Sequence, residues 1–177
     1  LGAAGAGQRH RPIQTQAVAV KPGVSRIAGG PNVVIGADAF GGIAKADLGV
    51  LHYPPLRGDE EPGAVRAAAH GDINLLTILP AATEPGLQVK GKDNSWFDVP
   101  CDFGYLIVNI GDMLQEASGH YYPSTVHRVL NPVGEAATKS RISLPLFLHP
   151  RRDVVLSDRY TVGSYFDERM RELRGEA

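Results

Sequence analysis

From residue 49 onward the chain alternates short apolar runs with turn-forming clusters. The runs are GVLHY (49–53), INLLTILP (73–80), LQVKG (87–91), SWFDVP (95–100), YLIVNI (105–110), STVHRVL (124–130) and RISLPLFL (141–148). Each is short, rich in β-branched or aromatic residues, and bounded by Gly, Pro, Asn or Asp, as strands are. The intervening GKDN, PCDFG, GHYYP and NPVGEAATK carry turn chemistry. GDMLQEAS (111–118) fits one or two helical turns with Asp112 as a cap. After Asp158 the period lengthens, and Val162, Tyr165, Phe166, Met170 and Leu173 fall near one face of a C-terminal helix. There is no internal repeat. The pattern predicts an all-β core, a small antiparallel jelly roll closed by that helix.

Residues 1–48 read differently. They are rich in Gly and Ala, with PGV, AGGPN and AFGGIA as breakers and only QAVAV and NVVIGA as apolar pieces. A poorly ordered or loosely attached segment is expected there, ahead of a folded domain at 49–177.

Composition narrows the function. The chain has 177 residues, 43% of them apolar and 21% charged, with a formal net charge of −1. That is enough chain for one real core, and too little positive charge to make nucleic acid or an anionic membrane a main partner. Cys101 stands alone, which excludes an internal disulfide and fits a reducing compartment. No apolar run approaches the roughly 20 residues of a membrane span, and LGAAGAGQRHRPIQ has no apolar block of signal-peptide type. A cytoplasmic protein is expected.

The chemistry sits in four places. In AAHGDINLLTILP (68–80), His70 and Asp72 are two apart, so on an extended strand they would face the same side. Alone the pair means little in a chain with six histidines and 19 acidic residues. His127, centred in the apolar run STVHRVL, adds a second imidazole. Two imidazoles and one carboxylate make the facial triad of non-haem iron(II) sites, which leaves three positions open. In SRISLPLFLHP (140–150), alternation puts Arg141 and Ser143 on one strand face. A guanidinium and a hydroxyl so placed can grip a carboxylate, and a buried arginine requires such an anion. His10, His52, His120 and His149 fall in the loose segment, on the opposite face, in a turn and at a strand end. Trp96 is expected in the core, Cys101 at least half buried, and GDEEPG (58–63) in a solvated loop.

Taken together, HGDINLLTILP, PGLQVK, SWFDVP, NIGDMLQEASG, YYPSTVHRVLNP and SRISLPLFLHP resemble, in that order, the isopenicillin N synthase-like family of 2-oxoglutarate- and Fe(II)-dependent oxygenases. GVLHYPPL (49–56) resembles the segment preceding the iron motif, particularly in bacterial members. The likeness covers about residues 49–174. It implies a double-stranded β-helix fold, iron ligands at His70, Asp72 and His127, and 2-oxoglutarate as cosubstrate on Arg141 and Ser143. It also implies a supporting role for Tyr53, the tyrosine before a proline. The implied reaction is oxidation of a small organic substrate with O₂, by hydroxylation, desaturation or ring closure, releasing succinate and CO₂. Two features depart from the family. Leu51 stands where plant members commonly carry asparagine, and residues 1–48 do not resemble the usual N-terminal region. Two alternatives stay open: an iron oxidase of isopenicillin N synthase type that uses no 2-oxoglutarate, and a truncated, inactive jelly-roll binding domain.

Overall fold

A computed structural model describes residues 18–20 and 43–176 of the chain. The expectation for residues 1–48 falls mostly outside the described residues; within it, Val18–Val20 (β1) and Ile43–Leu48 (β2) are strands. The remaining strands are Leu51–Tyr53 (β3), Ala67–His70 (β4), Leu76–Pro80 (β5), Leu87–Lys90 (β6), Trp96–Asp98 (β7), Leu106–Ile110 (β8), His127–Val129 (β9), Arg141–Ser143 (β10) and Leu146–Pro150 (β11). They form a five-stranded sheet in the order β1-β8-β5-β11-β2, a four-stranded sheet β4-β9-β6-β7, and a two-stranded ribbon β10-β3. Every pairing is antiparallel, as a jelly roll requires.

One core cluster joins the large sheets. Leu79 and Ile107 come from the five-stranded sheet, and Leu87, Val89 and Val129 from the four-stranded one, with Val99 beside them. A second cluster lies under the helices: Leu75, Met113, Leu114, Leu156, Tyr160, Val162 and Tyr165.

The run 141–148, expected as one strand, is two. Pro145 has no N–H to give a ladder, and the chain changes partners there. Arg141 and Ser143 pair with Tyr53 and Leu51, whereas Leu146 onward pairs with β5 and β2. The expected phase survives the break: Arg141, Ser143 and Pro145 are buried, while Ile142 and Leu144 are exposed.

The short helix is Asp112–Ala117 (α1), and here the expected cap is wrong. Gly111 occupies the N-cap, and Asp112 is the first helical residue, its carboxylate in the first turn where the helix dipole favours it. Gly111 is needed for space: a Cβ there would overlap Asn74 O and lie 2.6 Å from Asn74 Oδ1. Gly111→Ala should therefore cost about 3 kcal/mol, read as a fall of about 6–12 °C in the thermal midpoint.

The C-terminal helix is Val162–Leu173 (α2), started by a capping box in which Thr161 and Ser164 bond each other's backbone N–H. Val162 and Tyr165 are buried and Phe166 packs beside them, but Leu173, expected on the same face, is exposed. Burial pushes the Tyr165 phenol up to about 12, with the Asp112 carboxylate adding to the rise. The unfolded chain ionises near pH 10, so the contribution of Tyr165 is complete below that pH and is lost as pH rises from about 10 towards 12. Tyr165→Phe should flatten that alkaline decline in a pH series of thermal midpoints. Trp96 is not in the core: it is half-buried, with the Arg128 guanidinium 4.0 Å above its ring. Among the described residues, no helix is long and apolar enough to cross a membrane.

Candidate metal centre

His70 ends β4 and His127 begins β9, and the two are register partners across that antiparallel pair. Their ring centroids are 4.4 Å apart. Asp72 is not on the strand with His70. It lies just beyond the strand end, in the link to β5, where Gly71 and Asp72 belong to no regular element and the chain bends only at residues 73–75. A Cβ on Gly71 would lie 2.8 Å from Ser124 Oγ and 3.1 Å from Asp112 Oδ1, so this step of the link is tightly walled. His127 Nε2 lies 3.8 Å from Asp72 Oδ1. One ligand atom from each of His70, Asp72 and His127 falls within 4.8 Å of the other two, close enough for all three to hold one ion.

The atoms that would face an ion are fixed by what the others bond. His70 Nδ1 is 2.7 Å from Ala68 O, and His127 Nδ1 is 2.9 Å from Thr125 O. A ring N–H given to a carbonyl fixes the tautomer and leaves Nε2 as a lone-pair donor. The Asp72 carboxylate is held similarly: Thr77 Oγ1 donates to its Oδ2 at 2.5 Å, while Asn74 Nδ2 donates to Thr77 Oγ1 at 3.0 Å. Asp72 Oδ1 is the oxygen turned towards His127.

Two cavities meet at this cluster. The outer one, of about 770 Å³, is bordered by His70, Asp72, Phe147, His149, Phe166 and Leu173. The inner one, of about 70 Å³, is lined by the three ligand candidates together with Tyr53, Arg141 and Ser143. Arg141 is only 2% exposed. Its Nε donates to Glu84 O at 3.0 Å and its guanidinium carbon is 5.4 Å from the Tyr53 ring centroid, yet Nη1 is buried without a partner. Burial pulls the guanidinium below its ordinary value; Tyr53 and Cys101 oppose this and Arg66 adds to it. A buried cation with an idle donor is costly unless an anion comes to it. The donors therefore fit a metal at one part of the cavity and a carboxylate at another.

Residues 45–150 match the 2OG-Fe(II) oxygenase superfamily. The chain belongs to that superfamily. Fe(II) and 2-oxoglutarate are the metal and cosubstrate in the superfamily's description. The oxygenase domain is 42% identical over 106 residues to a 2-oxoglutarate-dependent dioxygenase of Gibberella zeae, covering 59% of this chain and 31% of that protein. It is 37% identical over 114 residues to gibberellin 3-beta-dioxygenase 1 of Arabidopsis thaliana, covering 64% and 30%. Among solved structures, it superposes with a TM-score of 0.66 on a Shewanella oneidensis protein assigned as an oxygenase, at 70% identity over 73% of this chain and 48% of that one. The chain thus spans about a third of these curated relatives and just under half of that solved one.

All six residues singled out from the sequence line the inner cavity of the oxygenase domain. Among the described residues the discounted histidines stay out of the ligand cluster: His52 and His120 are exposed, and His149 borders the outer cavity with its Nε2 4.0 Å from Asp47 Oδ2; His10 lies outside the described residues. Sequence reasoning missed Asn74 and Thr77, which steady Asp72. It also missed Arg66, whose Nη2 donates at 3.2 Å to both Pro54 O and Lys139 O, tying the end of β3 to the approach of β10. The available signal for Thr77 was the one that found His127, a polar residue inside an apolar strand.

Proposed function

We propose that this chain is the catalytic domain of a non-haem Fe(II)- and 2-oxoglutarate-dependent oxygenase that oxidises a small organic molecule. In this reading His70, Asp72 and His127 hold the ion, and Arg141, Ser143 and Tyr53 receive the far carboxylate of 2-oxoglutarate. The observation that carries it is that Arg141, whose Nη1 is buried without a partner, lines the same cavity as the ligand cluster. When bound, the ion and cosubstrate supply the oxidising chemistry with O₂, releasing succinate and CO₂.

The chain's own residues bind, orient and exclude water. The carbonyls of Ala68 and Thr125 aim the two rings, and the Asn74–Thr77 relay aims the carboxylate. Leu79, Leu87 and Val129 wall the inner cavity, which strengthens every charge interaction within it. The outer cavity is where we place the substrate, with Phe147, Phe166 and Leu173 giving it an apolar side. Relatives described as a gibberellin dioxygenase, or solved with thymine, support a small-molecule substrate without choosing one. We place the reaction in the cytoplasm, in keeping with the lone cysteine.

The test is anaerobic addition of Fe(II) and then 2-oxoglutarate, followed by O₂ and candidate substrates. The expected result is a weak visible charge-transfer band on adding 2-oxoglutarate, and succinate release that depends on it. Oxidation without succinate would replace this reading with the 2-oxoglutarate-independent iron oxidase. Iron uptake with no turnover of any kind would favour the inactive binding domain.

A further inference from the structure

A second residue lining the inner cavity also carries a buried polar atom without a partner. Asn109 sits in β8, 1% exposed, directly across from Thr77 on β5. It lines the cavity with the ligand cluster, and its Oδ1 is buried without a hydrogen-bond partner. A buried polar atom with no partner is a standing cost to the fold, so each one calls for an explanation.

Its neighbours place Asn109 along the cavity. Thr77, its cross-strand partner, holds the Asp72 carboxylate. The next residue, Ile110, exchanges hydrogen bonds with Thr125, whose carbonyl in turn orients His127. Asn109 therefore stands level with the ligand cluster. Ile107, two residues earlier on the same strand face, instead borders with Arg141 a separate small cavity. Two residues of strand rise about 7 Å. The cavity's idle polar atoms are thus staggered, with Asn109 at the metal end and Arg141 at the other. Leu51, which also borders the cavity, offers no hydrogen bond.

We infer that Asn109 is a cosubstrate-binding residue, its side-chain amide hydrogen-bonding the metal-end carboxylate or keto group of 2-oxoglutarate. The carboxylate and keto oxygens of 2-oxoglutarate only accept, so it is Nδ2–H that would face them; the terminal torsion of asparagine is soft, and a half-turn that exchanges Nδ2 with the idle Oδ1 is open to it. This rests on the function proposed above, and it adds a neutral contact at one end of the diacid to the charged contact at the other.

Two variants of the full chain test it, Asn109→Leu and Asn109→Ala. Leucine keeps the branching and replaces the amide with methyl groups; alanine leaves open space. The readouts are Fe(II) affinity, 2-oxoglutarate affinity of the Fe(II)-loaded protein without O₂, and the thermal midpoint without either ligand. Both variants should keep Fe(II) affinity and lose at least about tenfold in 2-oxoglutarate affinity. Asn109→Leu should leave the ligand-free midpoint unchanged or raised, since an orphaned polar atom has gone. The inference is overturned if both variants bind 2-oxoglutarate as the parent does, or if only the leucine variant loses binding, since bulk would then be the cause. A ligand-free midpoint that falls by several degrees in Asn109→Leu also overturns it, because the side chain would then be structural. A parent protein that takes up iron but no 2-oxoglutarate overturns the functional reading along with it. Parental binding retained by both variants overturns the role of Asn109 alone.

Discussion

Replacing His127 with alanine should cost the protein its ferrous ion. His127 is a buried member of the cluster and the one beside both others, through its ring against His70 and its Nε2 near Asp72 Oδ1. Loss of an outer-shell partner typically lowers metal affinity 10–100-fold, so loss of a direct ligand should exceed about 100-fold. Anaerobic titration with Fe(II) reads this directly, and the band on adding 2-oxoglutarate should vanish with the ion. A variant that kept full iron affinity and the same band would remove His127 from the site. Thr77→Val should fall between the two, weakening iron binding about 10–100-fold, because it frees the carboxylate that Thr77 now restrains.

The second large effect is expected at Arg141. Arg141→Leu should leave iron binding intact and weaken 2-oxoglutarate binding by roughly 30-fold or more, the scale of losing one partner of a buried charge pair. The same variant should fold at least as well as the parent without cosubstrate. In the ligand-free protein the guanidinium is buried, pulled below its ordinary value by that burial, and left with an unused donor. Removing such a charge from an apolar setting is commonly neutral or stabilising. A marked fall in the ligand-free thermal midpoint would mean that Arg141 serves the fold, through its bond to Glu84 O, and not the cosubstrate.

Most of the strands were legible because half-buried strands advertise themselves by period and by the glycines, prolines and asparagines between them. Arg141 and Ser143 were legible as a face because alternation is local. The division of 141–148 between two sheets was less so: Pro145 announces a missing donor, but not which neighbours take over. His70 and Asp72 do come together, but β4 ends at His70, so Asp72 stands two residues past the strand that was expected to carry both. The cap of α1 went to Gly111 because Asn74 leaves no room for a side chain there, a contact between residues 37 positions apart that no local rule reveals. In the sequence Asn109 and Thr77 are single polar residues inside apolar runs. Their meaning depends on facing the same enclosed space, which is set by register between strands.

The break at Pro145 has a consequence for selectivity. His70 and His127 stand on the four-stranded sheet, whereas Arg141 and Ser143 stand on the separate β3–β10 ribbon. The gap between them is therefore set by how two independent pieces of framework are fastened, as between the jaws of a caliper, and Arg66 is one of the fastenings. Such a gauge measures chain length: a diacid one methylene shorter or longer should be turned away even though each of its ends, taken singly, would find a fitting seat.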